Sequence, residues 1–283
     1  MQAPQVGQVQ SKTLLRRMDF GRGSIEYTVN LYRGCTHGCV YCYAPSLVHE
    51  ERKWGQFVDA KINAPLVLRR ELREAVQAPV FFSSASDPYQ PVEARFKLTR
   101  RCLEALRDNQ FPVVVLTRSP LVLRDLDVLR ELEWVRVGCS ISTAASREFE
   151  PGVPPVERRI RTLRSLSEAG IQTWVSMAPV IPGIMLFDLE DMLGKLRDAG
   201  VRAVTPGLLR FQGYSTSKEM FESATGMTAG EALESGEEVI TRFRESVARA
   251  GFEKPEDFFR WEAPRVARLD QFVAPEAVTV CPA

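Results

Sequence analysis

Apolar runs closed by turn residues recur along the chain, and each is followed by a stretch with the apolar spacing of a helix. They are IEYTVNLY (25–32), PVFFSS (79–84), FPVVVLT (111–117), WVRVGCSIS (134–142), IQTWVSMAP (171–179) and VRAVTPGLL (201–209), and they predict six strands. Between them, PVERRIRTLRSLSEAG puts Val156, Ile160, Leu163 and Leu166 on one stripe and its arginines on the other; it opens on proline and closes at Gly170. LEDMLGKLRDAG likewise ends at Gly200, and LTRRCLEALRD aligns Leu98, Cys102, Leu103 and Leu106 for a core. Cys102 therefore reads as a small buried hydrophobe. Strand and helix in alternation require right-handed crossovers and a parallel sheet with helices outside. Six such units predict an α/β chain forming an incomplete (β/α)6 barrel, with functional groups at the C-terminal ends of its strands. The boundaries follow: a lead segment at 1–22, the barrel at 23–212 and a C-terminal helical extension at 213–283. Phe252, Phe258, Phe259 and Trp261 are expected to pack that extension onto the barrel.

Composition narrows the class. The chain has 283 residues, 45% hydrophobic and 26% charged, enough for a full-sized core. Its 37 basic and 36 acidic residues leave a net charge of +1, so no global basic field draws it onto nucleic acid or anionic lipid. The opening MQAPQVGQVQSKTLLRR has no apolar signal region, and no stretch approaches the roughly 18 apolar residues of a membrane span, so a cytoplasmic protein is expected. Six cysteines in a chain of this length do not make a disulfide framework.

Three of those cysteines, Cys35, Cys39 and Cys42, crowd into GCTHGCVYCY at 34–43, just after the first predicted strand. Thiolates are soft ligands, and this CxxxCxxC spacing on a loop lets all three reach one centre. A zinc site completed by His37 or His49 is one reading, although no second CxxC follows to make the usual pair of knuckles. An iron–sulfur cluster is the other. Such clusters ordinarily take four cysteines, so three leave one iron open to a small molecule.

CxxxCxxC with tyrosine before its last cysteine resembles the signature of the radical S-adenosylmethionine (radical SAM) enzymes. NLYRGCTHGCVYCYAP, SDPYQPVE, LTRSPLVLRDLDVL and EPGVPPVERRIRTLRSLSEAGI further resemble the spore photoproduct lyase family and its DNA repair photolyase-like relatives, over roughly residues 25–210. The resemblance implies a partial TIM-type barrel of the radical SAM kind. It implies that Cys35, Cys39 and Cys42 hold a [4Fe-4S] cluster whose fourth iron chelates S-adenosylmethionine, and that reductive cleavage yields a 5'-deoxyadenosyl radical for hydrogen abstraction. A reductant such as flavodoxin or ferredoxin is then a partner. It also implies that Tyr41 lies with its backbone near the adenine, that Ser84, Ser86, Asp87, Arg118, Ser140 and Ser142 contact the cofactor from the strand ends, and that VIPG, beginning at Val180, lines the adenine. Arg118 stands where the lyases carry a lysine facing the methionine carboxylate, and a guanidinium suits a carboxylate.

One departure bears on the reaction. In the alignment this resemblance implies, Ser84 occupies the position of the cysteine that returns a hydrogen atom in the lyases. Cys139 and Cys281 are the candidate replacements; strand alternation sets Cys139 on the face opposite Ser140. A radical enzyme acting on a nucleoside or other small molecule is thus expected. The alternatives are repair of a nucleic-acid base lesion, with Arg158, Arg159, Arg161 and Arg164 beside Arg95, Lys97, Arg100 and Arg101 as phosphate patches, and a non-catalytic zinc-binding module.

Overall fold

Every one of the six apolar runs contributes a strand to one sheet in the computed structural model, which describes residues 3–18, 26–181, 184–209, 215–233 and 236–262. The strands are β1 Gln5–Val9, β2 Arg16–Met18, β3 Glu26–Val29, β4 Tyr32–Arg33, β5 Phe57–Lys61, β6 Val80–Phe82, β7 Val113–Thr117, β8 Val135–Ser140, β9 Gln172–Val180 and β10 Val201–Leu208. The helices are α1 Ala44–Leu47, α2 Ala64–Glu71, α3 Glu93–Phe96, α4 Leu98–Asp108, α5 Leu126–Arg130, α6 Val156–Glu168, α7 Leu189–Asp198, α8 Ser215–Thr225, α9 Ala229–Leu233, α10 Gly236–Arg249 and α11 Pro255–Phe258. The large sheet runs β10-β9-β8-β7-β6-β3-β2. Its six members from β3 to β10 are parallel and neighbour one another in chain order; β2 joins the β3 edge antiparallel. This is the expected partial barrel.

Strand alternation decides what faces where. Val113 and Val115 of β7, with Val135 and Val137 of β8, join the helix-side core with Leu98, Cys102, Leu103 and Leu106 of α4. Cys102 is fully buried there, as its register predicts. The intervening residues, Val114 and Leu116, turn to the other face, where Val114 meets Trp174, Ala203 and Phe258. Gly138 makes room for this group, since a Cβ on it would stand 2.4 Å from the Trp174 ring. Phe259 packs edge-on against Trp174 at 4.9 Å between ring centres, so the aromatic tail of the extension floors the barrel. Outside, α10 lays Ile240, Phe243 and Val247 against Leu193, Leu196 and Val204. The predicted stops of α6 and α7 hold: Gly170 and Gly200 take φ of +85° and +77°, which glycine adopts without strain.

A second sheet of three strands, β1-β5-β4, was not anticipated. Its strands carry little pattern: β1 is mostly exposed and β4 has two residues. It holds the base of the cysteine loop. Gly34, at φ +87°, leads from β4 into that loop where a Cβ would stand 2.5 Å from the Phe57 carbonyl of β5. The arginine face of α6 also differs from expectation. Arg158, Arg161 and Arg164 are exposed, but Arg159 is 2% exposed and turned inward. Arg159 is therefore withdrawn from any phosphate patch.

Candidate functional site

The cysteine loop runs from Gly34 to Tyr43 between β4 and α1, and its backbone is tied down at several points. The buried Gln90 side chain accepts from the Thr36 amide at 3.1 Å and donates to the Gly34 carbonyl at 3.1 Å. The segment after β8 closes the other side: the Val40 amide donates to the Phe149 carbonyl at 3.0 Å, and the Gly152 amide donates to the His37 carbonyl at 2.9 Å. Cys35, Cys39 and Cys42 are free thiols bordering one cavity of about 310 Å³. From the strand ends that cavity receives Ser83 and Ser84 after β6, Arg118 after β7, Ser140 of β8, and Ser176 and Ala178 of β9. These are the carboxyl ends of parallel strands, where a barrel of this kind carries its chemistry. Met220 and Phe221 of α8 pack beside the loop, Phe221 with Cys39 and Tyr41.

Buried charges surround the loop. Asp87 accepts from the Thr117 hydroxyl at 2.6 Å, the Arg118 amide at 2.7 Å and the Tyr89 amide at 2.8 Å. It both starts a turn and borders the cavity. His37, the nearest nitrogen for a zinc site, lies with Nδ1 3.4 Å from Asp87, and burial pushes its pKa below the usual imidazole range. Tyr41 donates to Glu150, and burial holds its phenol protonated well above the ordinary range. Glu150 accepts from Arg159 at 2.6 Å, and Arg159 donates to the Ser140 carbonyl at 2.7 Å. Arg118 Nε lies 3.7 Å from Glu150 and has no hydrogen-bond partner. Burial opposes its charge, but the acidic groups around it, among them Cys39, Tyr41, Glu150 and Asp87, hold the guanidinium above its ordinary value. Burial pushes all three thiols up, Cys39 to about 12, so any metal that binds them displaces protons. Among the described residues, no three His, Cys, Asp or Glu side chains are grouped closely enough for a single metal ion. A four-iron cluster is larger than one ion and spaces its thiolates more widely.

Around this cavity stand Cys35, Cys39, Cys42, Tyr41, Ser84, Ser86, Asp87, Arg118 and Ser140. Three candidates stand apart. Cys139 is fully buried on the helix side with Leu163, Val175 and Met177, so it does not reach the cavity as a hydrogen donor. Val180 packs in the same layer, leaving Ala178 and Pro179 to line the cavity. Ser142 is buried with its hydroxyl unpartnered and does not border the cavity. Cys281, Pro182 and Gly183 lie outside the described residues. Sequence reasoning overlooked Tyr43, whose hydroxyl donates to the Ser84 carbonyl, and Trp54 beside Cys42. It also overlooked Ser176, which strand pairing sets opposite Ser140. Glu150 was overlooked as well; it lies in the irregular segment between β8 and α6.

Comparison with known proteins agrees with this geometry. The Radical SAM superfamily profile matches residues 29–196. An uncharacterised protein of Methanocaldococcus jannaschii is 34% identical over 177 residues, 61% of this chain and 66% of the relative. A Radical SAM Nalpha-GlyT isomerase of Pseudomonas phage M6 is 27% identical over 193 residues, 66% of this chain and 40% of its own length. The present chain thus spans about two thirds of the first relative and less than half of the second. A spore photoproduct lyase mutant, solved with bound AdoMet and dinucleoside spore photoproduct, superposes with a TM-score of 0.64 at 16% identity, covering 88% of this chain and 82% of the lyase. The lyase shares the fold, a partial barrel. With a profile match over more than half its length, lying across the cysteine loop and barrel strands β6 to β9, this chain belongs to the radical SAM superfamily and is a radical SAM enzyme.

Proposed function

We propose that Cys35, Cys39 and Cys42 hold a [4Fe-4S] cluster, that S-adenosylmethionine binds beside it, and that the substrate is a nucleoside or a comparably small molecule. The observation that carries this is the sharing of one cavity by three free thiols and a half-buried cation, Arg118, at the strand carboxyl ends. The donor set fits. Three soft ligands suit iron and leave one iron open, while the Arg118 guanidinium bordering the same cavity suits a carboxylate. When bound, the cluster supplies the electron that splits S-adenosylmethionine into methionine and a 5'-deoxyadenosyl radical.

The chain's own residues position the reactants and keep water out. Arg118 gives the methionine carboxylate a charged donor, and the backbone of Tyr41 faces the adenine. The hydroxyls of Ser84, Ser86 and Ser140, together with Asp87, offer hydrogen bonds at the strand ends. Trp54, Leu116, Leu208 and Leu209 make the remaining lining apolar and would keep water from the reactants. The aromatic floor at Trp174, Phe258 and Phe259 closes the opposite end. No thiol outside the cluster set borders the cavity among the described residues. That favours a reaction that does not end in hydrogen return from a barrel cysteine. A reductant such as flavodoxin or ferredoxin delivers the electron, and free buried cysteines fit a reducing compartment such as the cytoplasm.

The nucleoside reading draws on the dinucleoside held by the lyase of like fold. The same dinucleoside also favours a second reading, a base lesion within nucleic acid. Anaerobic purification and deuterium tracing test both. The expected protein is brown, with four irons and four sulfides per chain, and transfers deuterium from a labelled nucleoside into 5'-deoxyadenosine. Colourless protein overturns the proposal. Transfer from an oligonucleotide but from no nucleoside favours the second reading.

A further inference from the structure

The mechanism just given leaves unused the buried ion pair of Glu150 and Arg159, which also meets Tyr41 and Arg118. Glu150 is 1% exposed and comes from the segment after β8, outside the strand ends. Its Oε2 accepts from Arg159, which is also anchored on the Ser140 carbonyl of β8. Its Oε1 accepts from the Tyr41 hydroxyl on the cysteine loop. The same Oε1 faces Arg118 Nε at 3.7 Å, too long for a hydrogen bond but close for two opposite charges. One carboxylate thus touches the cysteine loop, the end of β7 and, through Arg159, β8.

We propose that Glu150 is a positioning residue for S-adenosylmethionine binding: it holds the cysteine loop through Tyr41 and aims the Arg118 guanidinium, keeping the Nε edge on itself and leaving the outer nitrogens for the cofactor's carboxylate. This inference rests on the cofactor reading above. The supporting structure is specific. The backbone bonds from Val40 to Phe149 and from Gly152 to His37 clamp the segment carrying Glu150 onto the loop. A Cβ on Gly152 would stand 2.3 Å from the Thr36 carbonyl, so the approach is as close as backbone allows. Glutamine at 150 puts an NH2 donor where one of the two carboxylate oxygens stands, so Arg159 or Tyr41 loses its acceptor there, and it carries no charge toward Arg118.

A double-mutant cycle on cofactor affinity separates aiming from mere support. Glu150→Gln, Arg118→Ala and the double variant are purified anaerobically, iron and sulfide are counted, and S-adenosylmethionine is titrated into each. Glu150→Gln is expected to keep its iron and to bind about tenfold more weakly, the worth of one charge-assisted contact. The double variant is expected to lose clearly less than the sum of the two single losses, because with Arg118 gone Glu150 keeps only its hold on the loop. Unchanged affinity in Glu150→Gln with an intact cluster overturns the inference, and so do losses that simply add. Should Glu150→Gln fail to fold because Arg159 is left buried without its full partner, Glu150→Gln/Arg159→Met, which removes both ends of the pair, replaces it in the cycle. Wild-type protein without iron overturns the proposed function itself and this inference with it; iron-loaded wild type with an additive cycle sinks only the inference.

Discussion

Arg118 and Cys139 lie one residue beyond and one residue before the ends of adjacent strands, yet alternation sends them to opposite chemical surroundings. Arg118 keeps a buried Nε without a partner beside the cavity. Replacing it by lysine retains the charge and loses the planar fork. Arg118→Lys is therefore expected to bind S-adenosylmethionine about 3- to 10-fold more weakly and Arg118→Ala about 10- to 100-fold more weakly, with iron content unchanged, by calorimetric titration. Cys139 shows the reverse. It is fully buried between Leu163 and Val175 on the helix side. Cys139→Ala is expected to lower Tm by about 2–4 °C through the small void it leaves, while 5'-deoxyadenosine formation and deuterium transfer stay at wild-type rates. Loss of turnover in a folded, iron-loaded Cys139→Ala would restore its candidacy as a hydrogen donor.

At the scale of elements, what could be read in advance was whatever buries one face with a regular period. The six barrel strands and the stripes of α4 and α6 were legible because Val113 and Val115, or Leu163 and Leu166, recur at spacings that only one conformation satisfies. The cysteine loop was legible from ligand chemistry. What escaped is held by polar or short segments: β1 is mostly exposed, β4 has two residues, and Glu150 belongs to no periodic element. Arg159 escaped for a related reason, since on a helix of exposed arginines nothing local marks the one with a buried carboxylate to meet. These irregular parts hold the site in place. In Gly152→Ala the new methyl meets the Thr36 carbonyl, and relief requires lifting the segment 149–152 off the loop. That variant is expected to retain less than about a third of wild-type iron after desalting, since loosening the residues that orient metal ligands costs about 10- to 100-fold in affinity. The small sheet has its own ionic tie. Glu50 is 5% exposed, accepts from Arg33 at 2.8 Å and Arg52 at 2.9 Å, and the hydrogen bonds from Arg52 draw its pKa down to about 2. A carboxyl held below its unfolded value stabilises the fold above roughly pH 4.5 and loses that contribution as pH falls toward 2. Thermal melts across this window are expected to fall less steeply for Glu50→Gln than for wild type; parallel slopes would rule out the contribution.

For the whole molecule, the question left by fold and site is how large a substrate is met, and charge answers it through salt. The net charge is +1, and much of the basic inventory is already engaged. Arg100 is paired with Asp125 and Asp127, Arg124 with Glu93 and Asp125, and Arg159 with Glu150 inside the barrel. Of the patch considered on α6, only Arg158, Arg161 and Arg164 face solvent. An enzyme that grips a nucleic-acid backbone neutralises several phosphates and releases their counterions, so log K falls against log salt with a slope near −0.9 per phosphate on duplex and −0.7 on single strands. A grip through the three α6 arginines alone sets that slope no steeper than about −3 on duplex, while Arg95, Lys97 and Arg101, also exposed, would steepen it to about −5 if they joined; a nucleoside has no phosphate to add to it. Binding of single-stranded and duplex oligonucleotides, followed by anisotropy between 50 and 200 mM salt, is accordingly expected to be weak and to change less than about 100-fold, whereas a nucleoside substrate binds without salt dependence. A slope of about −6 or steeper would mean that phosphate contacts are assembled from basic residues beyond those three, and would move the substrate from a free nucleoside to a base within a strand.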